Sequence, residues 1–272
     1  MKNITTRLLT GLLFVVVFLG CIFFNRYSFV VLFLFLISTG MMEFYRTAMI
    51  DRVRSQLFYG VFIGLSLFAV NFLYASNKVE ESIFLILIPL FSFVFIFELY
   101  LKNKRPFTNI AYTLLGVIYI ALPFSLFNYF VFEEKNAETI YSFDKILLFF
   151  LFQWSYDTFA YLFGITLGRN RIFESVSPKK SWEGAIGGMI STIAVAYFIS
   201  PFFPILSRFD WMVIAGIIVV FGTYGDLVES LYKRSINIKD SGNILPGHGG
   251  ILDRFDSTIM ASPFVFLYLQ II

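Results

Sequence analysis

The chain has 272 residues, of which 58% are hydrophobic and only 14% charged, and its formal net charge at pH 7 is +3. A soluble domain is about half apolar and about one-quarter charged, so this composition excludes ordinary soluble and disordered proteins. The membrane class is the one that remains. The single cysteine, Cys21, lies in the first apolar run, so no disulfide within the chain is possible.

About nine apolar runs approach the length needed to cross a hydrocarbon core of about 30 Å, which is roughly 20 helical residues. Lipid offers no partners for backbone N–H and C=O groups, so each run must be helical. The sequence thus predicts an all-α, polytopic membrane helix bundle. We interpret the first run as a retained helix, because no small-residue cleavage site follows it. The predicted spans are residues 8–24, 28–45, 57–76, 82–101, 108–131, 146–167, 184–206, 211–231 and 257–272.

Most of the 21 Lys and Arg residues fall in alternate loops between these runs. Short cytoplasmic loops carry an excess of Lys and Arg, so this asymmetry predicts a cytoplasmic N-terminus and a C-terminus on the other side. The net positive charge therefore indicates topology, and we expect no nucleic-acid binding. The basic side faces anionic lipid of the bilayer.

The most polar stretch between apolar runs is residues 230–256, reading SLYKRSINIKDSGNILPGHGGILDRFD. Asp226, just before it, lies inside an apolar run, where an acid costs roughly 2.5–3.5 kcal/mol and is usually paired, water-facing or functional. Glu229 and Lys233 follow at i+3 and i+7, on the same helical face. Asp253 and Asp256 form another i, i+3 pair where the last span begins.

Carboxylates brought together repel each other unless a cation lies between them. Mg²⁺ prefers a few protein carboxylates together with substrate phosphates, so these acids predict a Mg²⁺ site. The alternative is a structural salt bridge from Asp226 or Asp253 to Lys233 or Arg254. The candidate metal ligands are Asp226, Asp253, Asp256 and Glu229.

Between these acids runs Pro246-Gly247-His248-Gly249-Gly250. Closely spaced glycines let backbone N–H groups approach a phosphate, although a tight turn is the simpler interpretation of the run alone. Four cations around the loop, able to pair with phosphate, favour the first interpretation. His248 is either a hydrogen-bonded structural residue or a phosphate or ribose contact. The four cations are Lys233, Arg234, Lys239 and Arg254.

A second polar cluster covers residues 157–184. Asp157, Tyr161, Gly164 and Gly168 lie on one stripe of a helix. For the two glycines, close helix packing is the alternative to a functional role. The segment from Ser177 to Ser181, SPKKS, then opens the next helix. Its lysine pair, Lys179 and Lys180, predicts an anion site beside a helix N-terminus, or else simply marks the cytoplasmic side.

No phosphate-loop, dinucleotide-binding or His-Glu-x-x-His zinc motif occurs in the chain. Instead, the polar residues resemble the phosphatidate cytidylyltransferase (CDP-diacylglycerol synthase) family. The resemblance is sharp over residues 157–256. Tyr232 departs from the usual aliphatic residue, and Ser181 stands where Thr is common. The signature residues are Ser230, Lys233, Arg234, Lys239, Asp240, Gly242, Pro246, His248, Gly249, Gly250, Asp253, Arg254 and Asp256.

This resemblance implies the reaction of CTP with phosphatidate to give CDP-diacylglycerol and pyrophosphate, a step of phospholipid biosynthesis. It implies dependence on Mg²⁺, alone or with a second cation. It also implies an integral protein of the cytoplasmic membrane, with a cytoplasm-facing site and a homodimeric state. Residues 1–140 are then scaffold helices that can supply dimer contacts, and residues 141–272 are the catalytic helices and loops.

The resemblance also implies roles for individual residues. Asp226 and Asp253 hold the metal, with Asp256 and Glu229 in support, and the cations neutralise phosphates of both substrates. The expected catalytic residues are Asp226, Asp253, Lys233, Arg234, Lys239 and Asp256. The expected substrate contacts are Ser177, Lys179, Lys180, His248, Gly249, Gly250, Arg254, Asp157 and Tyr161.

Two other functions stay open at this point. A CTP-dependent polyprenol kinase would transfer the γ-phosphoryl group and release CDP. A secondary transporter or channel would also carry acids within its spans. The acids here cluster at one membrane face, whereas transporter sites lie near the midplane, which disfavours transport.

Overall fold

The computed structural model describes residues 2–135, 138–174, 176–242, 244 and 249–272, with side chains from residue 10 onward. Helices dominate this part of the chain, which confirms the predicted helical membrane bundle. The α-helices are α1 (Lys2–Phe24), α2 (Arg26–Ala48), α3 (Leu57–Ala75), α4 (Leu87–Leu101), α5 (Pro106–Gly116), α6 (Leu122–Leu126), α7 (Asn128–Val131), α8 (Asp144–Leu167), α9 (Trp182–Ile199), α10 (Arg208–Ser235) and α11 (Leu252–Ile271). A π-helical turn, Val117–Ala121, joins α5 to α6, and 3₁₀ turns cover Met49–Asp51, Glu81–Ile86 and Ser200–Phe202.

Seven helical segments of the described chain are long and apolar enough to cross a membrane. They begin with Arg26–Asp51 and end with Arg208–Ser235. The sequence predicted about nine spans. The first of these is a shorter apolar stretch, Thr10–Phe24, and the last is α11, whose first turns carry three charged residues. The predicted orientation of the N-terminus stays a prediction.

The chain divides into two compact units. The N-terminal unit comprises Met1–Phe143 and Asp240–Arg254, and the C-terminal unit comprises Asp144–Lys239 and Phe255–Ile272. The polar stretch identified in the sequence is therefore shared between the two units. The assignment of scaffold and catalytic roles to residues 1–140 and 141–272 stays a prediction.

An aromatic cluster forms the core of the N-terminal unit. The ring centroid of Phe33 lies 6.1 Å from that of Phe68, 5.9 Å from Phe124 and 5.3 Å from Phe127, and all four side chains are buried. Lipid is as apolar as these rings, so close packing, not escape from water, holds them together. Each well-oriented aromatic pair contributes about 0.5–1.5 kcal/mol beyond its area. The cluster fixes α2 against α3 and α6.

In the C-terminal unit, α8 and α9 approach closely through small residues. A Cβ atom at Gly184 would lie 3.1 Å from the Cα of Gly164 and 2.8 Å from the backbone oxygen of Ala160. Any side chain at Gly184 would push the helices apart. A Cβ atom at Gly164 would lie 3.6 Å from the hydroxyl oxygen of Ser181, an ordinary contact, so the close packing requires glycine at position 184 and not at 164. The contact brings the start of α9 next to the polar end of α8.

Two small antiparallel hairpins lie in connections between helices. The first pairs β1 (Phe132–Lys135) with β2 (Glu138–Tyr141), and the second pairs β3 (Arg171–Phe173) with β4 (Ser177–Ser181). The sequence predicted neither hairpin, because strands of three to five residues are too short to establish an alternating pattern. The second hairpin matters for the site, since it carries the lysine pair.

Candidate active site

A cavity of about 580 Å³ lies in the C-terminal unit. Its walls come from α8, the second hairpin, the start of α9 and the middle of α10. Two groups of residues that are far apart in the sequence meet here, the second polar cluster and the acid of the apolar run before residue 230. Five predicted site residues line the cavity: Asp157, Tyr161, Lys179, Lys180 and Asp226.

Asp226 is the central acid of this cavity. Its Oδ2 atom forms an ion pair with the Nζ atom of Lys180, and its Oδ1 atom accepts a hydrogen bond of 3.1 Å from the hydroxyl of Ser230. Both charged side chains are only about one-third exposed, since Lys180 is 27% and Asp226 32% accessible. The sequence alternatives for a partner of Asp226 were Lys233 and Arg254, whereas the observed ion pair is to Lys180. This pair joins α10 to the second hairpin.

The hairpin places Lys180 through local hydrogen bonds. The carboxylate of Glu183 accepts hydrogen bonds from the backbone N–H groups of Arg169 and Asn170. The hydroxyl of Ser181, the N-cap of α9, accepts one of 3.2 Å from the N–H of Gly184. N-cap bonds of this kind satisfy an N–H that the helix itself leaves unpaired. The lysine pair therefore comes directly before a capped helix start.

Asp256 lies before the predicted span 257–272 and belongs to the same electrostatic cluster. Its partial burial, and then the nearby charge of Asp226, raise the pKa of Asp256 to about 7, while Lys180 lowers it. Asp157 adds a smaller repulsion. Three carboxylates and one lysine thus interact in the C-terminal unit, and an added cation would relieve their repulsion.

Close contact between α10 and the start of α11 holds Asp226 near Asp256. A Cβ atom at Gly225 would lie 2.5 Å from the backbone oxygen of Asp256 and 2.9 Å from the Cα of Ser257. Real Cβ atoms do not approach backbone so closely, so only glycine permits this spacing of the two helices.

Replacing Gly225 with Ala should therefore shift α10 away from α11 and separate the two acids. A displacement of about 1 Å in an active site can cost about 100-fold, so we expect turnover to fall by roughly 10- to 100-fold. The measurement is kcat of the purified variant, compared with Gly216→Ala. Gly216 lies on the same helix with no atom within 4 Å of an added Cβ. Equal activities in the two variants would contradict this role of Gly225.

Glu229 and Lys233 form their own ion pair, at i and i+4 on α10. The side chain of Glu229 is 1% exposed and that of Lys233 is 13% exposed. A buried pair of this kind is strongly destabilised when one partner is removed, because the other charge is left uncompensated. Glu229 therefore has a structural partner besides its predicted supporting role at a metal.

The polar loop of the N-terminal unit is organised by Asp253. Its Oδ2 atom accepts hydrogen bonds from the N–H of Ser241 at 2.9 Å, the hydroxyl of Ser241 at 3.0 Å and the N–H of Gly250 at 2.8 Å. Gly249 has a φ of +85°, in the left-handed region, and a Cβ there would lie 2.7 Å from the same oxygen. The backbone of Gly249 and Gly250 therefore packs directly against the Asp253 carboxylate.

Glu43 of α2 also belongs to this loop structure, although the sequence did not predict it as a site residue. This acid is 5% exposed, and its carboxylate accepts hydrogen bonds of 3.0 Å from the N–H groups of Ile251 and Leu252. A longer contact, 3.4 Å, comes from the hydroxyl of Ser241. Its position could have indicated a role, because an acid inside an apolar run usually has a partner or a function. The sequence around Glu43 does not show that its partners are the distant residues 241, 251 and 252.

The remaining predicted site residues of the described chain do not line the cavity of about 580 Å³. Ser177 opens β4 and is half-buried, while Lys239 and Arg254 are exposed. Arg234, at the end of α10, donates a hydrogen bond of 3.2 Å to the backbone oxygen of Ile238. Pro246 and His248 lie outside the described residues. The phosphate-binding roles of these residues stay predictions.

The similarity of this chain to known proteins extends over both units. A family model described as the cytidylyltransferase family matches residues 5–272. A phosphatidate cytidylyltransferase of Bacillus subtilis is 31% identical over 278 residues, covering 100% of this chain and 99% of that protein. Proteins of the same name from Staphylococcus epidermidis and Staphylococcus saprophyticus are 39% and 37% identical over 170 and 169 residues, and in each case the match covers 62% of both chains.

Proposed function

This chain belongs to the cytidylyltransferase family of nucleotidyltransferases, and we propose that it makes CDP-diacylglycerol and pyrophosphate from CTP and phosphatidate. The observation that carries this proposal is the cavity of about 580 Å³ in which Asp226 and Lys180 form an ion pair. A cavity with paired cations and acids, on helices apolar enough to span a membrane, suits a lipid phosphate and a nucleotide triphosphate.

The proposed reaction needs charge neutralisation more than proton transfer. An oxygen of the phosphatidate phosphate attacks the α-phosphorus of CTP, the bond from that phosphorus to the β-phosphate oxygen breaks, and pyrophosphate leaves. The attacking phosphate is already an anion, so no strong general base is required. Phosphoryl-type transfer depends mainly on positioning and on stabilising charge. Lys179 and Lys180, next to the start of α9, are proposed to bind phosphate oxygens.

We further propose that Asp226 and Asp256 contribute ligands for Mg²⁺. No group of three His, Cys, Asp or Glu side chains suited to a metal occurs in the described part of the chain. Mg²⁺ typically takes only one or two protein carboxylates, with substrate phosphates and water completing its shell, so two acids suffice. When bound, the ion would neutralise charge on the triphosphate. Asp253 and Glu229 stay predicted ligands from the sequence.

The cations of the polar stretch are also proposed to bind substrate phosphates, and CTP is proposed to reach the protein from the cytoplasm. Loops rich in Lys and Arg favour the cytoplasmic side, where soluble CTP meets a membrane-bound phosphate. The proposed homodimer rests on family resemblance alone. The residues proposed to bind substrate phosphates are Lys233, Arg234, Lys239, His248, Gly249 and Arg254. The N–H of Gly250, also predicted from the sequence, donates instead to Asp253.

Product analysis with labelled CTP tests the proposed reaction. Purified protein in detergent receives phosphatidate, Mg²⁺ and CTP labelled at either the α or the γ position. We expect α label in a lipid product and γ label in pyrophosphate. Label from the γ position in the lipid would instead indicate a kinase. A folded preparation that yields no labelled lipid would contradict both enzyme assignments and favour transport.

A further inference from the structure

A second cavity, of about 740 Å³, lies in the N-terminal unit. It is formed where the 3₁₀ turn after α2, the end of α4 and the start of α5 come together. No acid lines it among the described residues, and none of its lining residues was predicted as a site residue. Five of its ten lining side chains are cationic: Arg52, Arg54, Lys102, Lys104 and Arg105.

These five cations have no ion-pair partner within the part of the chain that the structure describes. All five are exposed to the cavity or solvent. Loops rich in Lys and Arg are expected on the cytoplasmic side of a membrane protein, but that rule does not require the side chains to share one concave surface. Converging, unneutralised cations in a cavity favour an anionic ligand.

Glu98 of α4 is a buried acid whose partners are neutral amide donors, two of which, Asn103 and Asn109, line the cavity. Glu98 is 2% exposed, and it accepts hydrogen bonds from the side-chain amides of Gln56 and Asn103, both at 2.9 Å, and of Asn109 at 2.8 Å. The amide oxygen of Asn109 in turn accepts a hydrogen bond of 2.9 Å from the backbone N–H of Arg54. This buried network ties α4 to α5 and to the segment before α3, so the cavity wall is built before any ligand binds.

Two of the cations lie at helix ends. Arg52 has a φ of 60° and Lys102 a φ of 48°, both in the left-handed region. Helices commonly end on a residue in this conformation, which turns the chain away from the helix axis. Here they turn the chain at the ends of two membrane helices, so that both cations line the same cavity.

The cavity also has an apolar rim. Met49 and Leu101 line it with 47% and 53% of their surface exposed, and their neighbours in the chain, Ile50 and Tyr100, are also exposed. A ligand that suits both parts carries a phosphate and a hydrocarbon portion. We propose that this cavity binds the phosphate of an anionic phospholipid of the surrounding bilayer, whose acyl chains lie along the apolar rim. One Arg guanidinium group can donate two parallel hydrogen bonds to two oxygens of a phosphate, so the arginines suit a phosphate head group.

Lipid binding to the full-length protein in detergent tests this site without reference to catalysis. Dioleoylphosphatidylglycerol and dioleoylphosphatidylcholine are titrated separately, and bound lipid is counted by native mass spectrometry. Each cation near an anionic head group contributes about fivefold in affinity. The triple variant Arg52→Gln, Arg54→Gln, Lys104→Gln should therefore lose about 100-fold affinity for phosphatidylglycerol. The single variant Lys104→Gln should lose about fivefold, and it serves if the triple variant fails to fold.

A matched control removes the same charge outside the cavity. Arg46→Gln, Lys78→Gln, Lys135→Gln changes three cations of the same unit, none of which lines the cavity. It should keep phosphatidylglycerol affinity within about twofold of wild type, because none of these three cations lies at the proposed head-group site. Equal losses in the two triple variants, or wild-type affinity in the cavity variants, would overturn the proposal. Displacement of phosphatidylglycerol by a similar concentration of inorganic phosphate would identify a site for free phosphate and equally overturn it.

Discussion

Replacing Asp226 with Asn should reduce turnover by about 100-fold or more, the loss typical of removing one preorganised electrostatic group from an active site. Asn has nearly the same shape, and its amide oxygen can still accept the hydrogen bond from Ser230. The charge is lost, however, so Lys180 loses its ion-pair partner and a bound cation loses a carboxylate ligand. The measurement is kcat with CTP, phosphatidate and Mg²⁺ all at saturation.

Two further variants separate charge from structure in this experiment. Lys180→Met removes the other half of the ion pair, and we expect it to raise the KM for CTP as well as lower kcat. Glu80→Gln neutralises an exposed acid and should leave both constants unchanged. Wild-type turnover of a folded Asp226→Asn enzyme at saturating Mg²⁺ would show that Asp226 neither binds the metal nor stabilises the reaction.

The helices were predictable because the bilayer leaves the backbone few choices. Long apolar runs had to be helical, and the segments 57–76 and 82–101 match the observed Leu57–Ala75 and Glu81–Leu101 within one residue. The first and last membrane spans were harder to predict. The run that became α11 begins within the polar stretch, and hydropathy alone does not show where a helix of mixed character starts.

Pairings between distant residues were not predictable from local pattern. The stripe of Asp157 and Tyr161 was visible as helical spacing, but nothing in that spacing specified that Asp226 would lie in the same cavity. The ion pair between Lys180 and Asp226 depends on how α8, α9 and α10 pack, and that packing is a property of the folded chain. A single sequence can name the acids and cations of this site, whereas their partners follow only from tertiary structure.

Glu43 is the clearest example of a residue whose partners the sequence did not predict. Its replacement should have a large effect on both stability and turnover. Replacing Glu43 with Ala leaves the N–H groups of Ile251 and Leu252 without their acceptor, whereas the hydroxyl of Ser241 keeps its hydrogen bond to Asp253. Each unsatisfied buried group costs about 1–3 kcal/mol, so we expect the free energy of unfolding to fall by on the order of 3 kcal/mol. Because the loop that holds Asp253 loses its anchor, turnover should also fall by roughly 10- to 100-fold in the molecules that remain folded.

Thermal unfolding, kcat and the KM for CTP together separate a positioning role of Glu43 from general destabilisation. Glu98→Gln is the matched control, since Glu98 is an equally buried acid of the same unit with three amide donors and no contact to residues 241–252 among its hydrogen bonds. It should lower stability but keep kcat and KM within about twofold per folded molecule. Glu43→Gln keeps one acceptor oxygen and should fall between wild type and Glu43→Ala. If Glu43→Ala matched Glu98→Gln in both constants, the carboxylate of Glu43 would stabilise the fold without positioning the loop for catalysis.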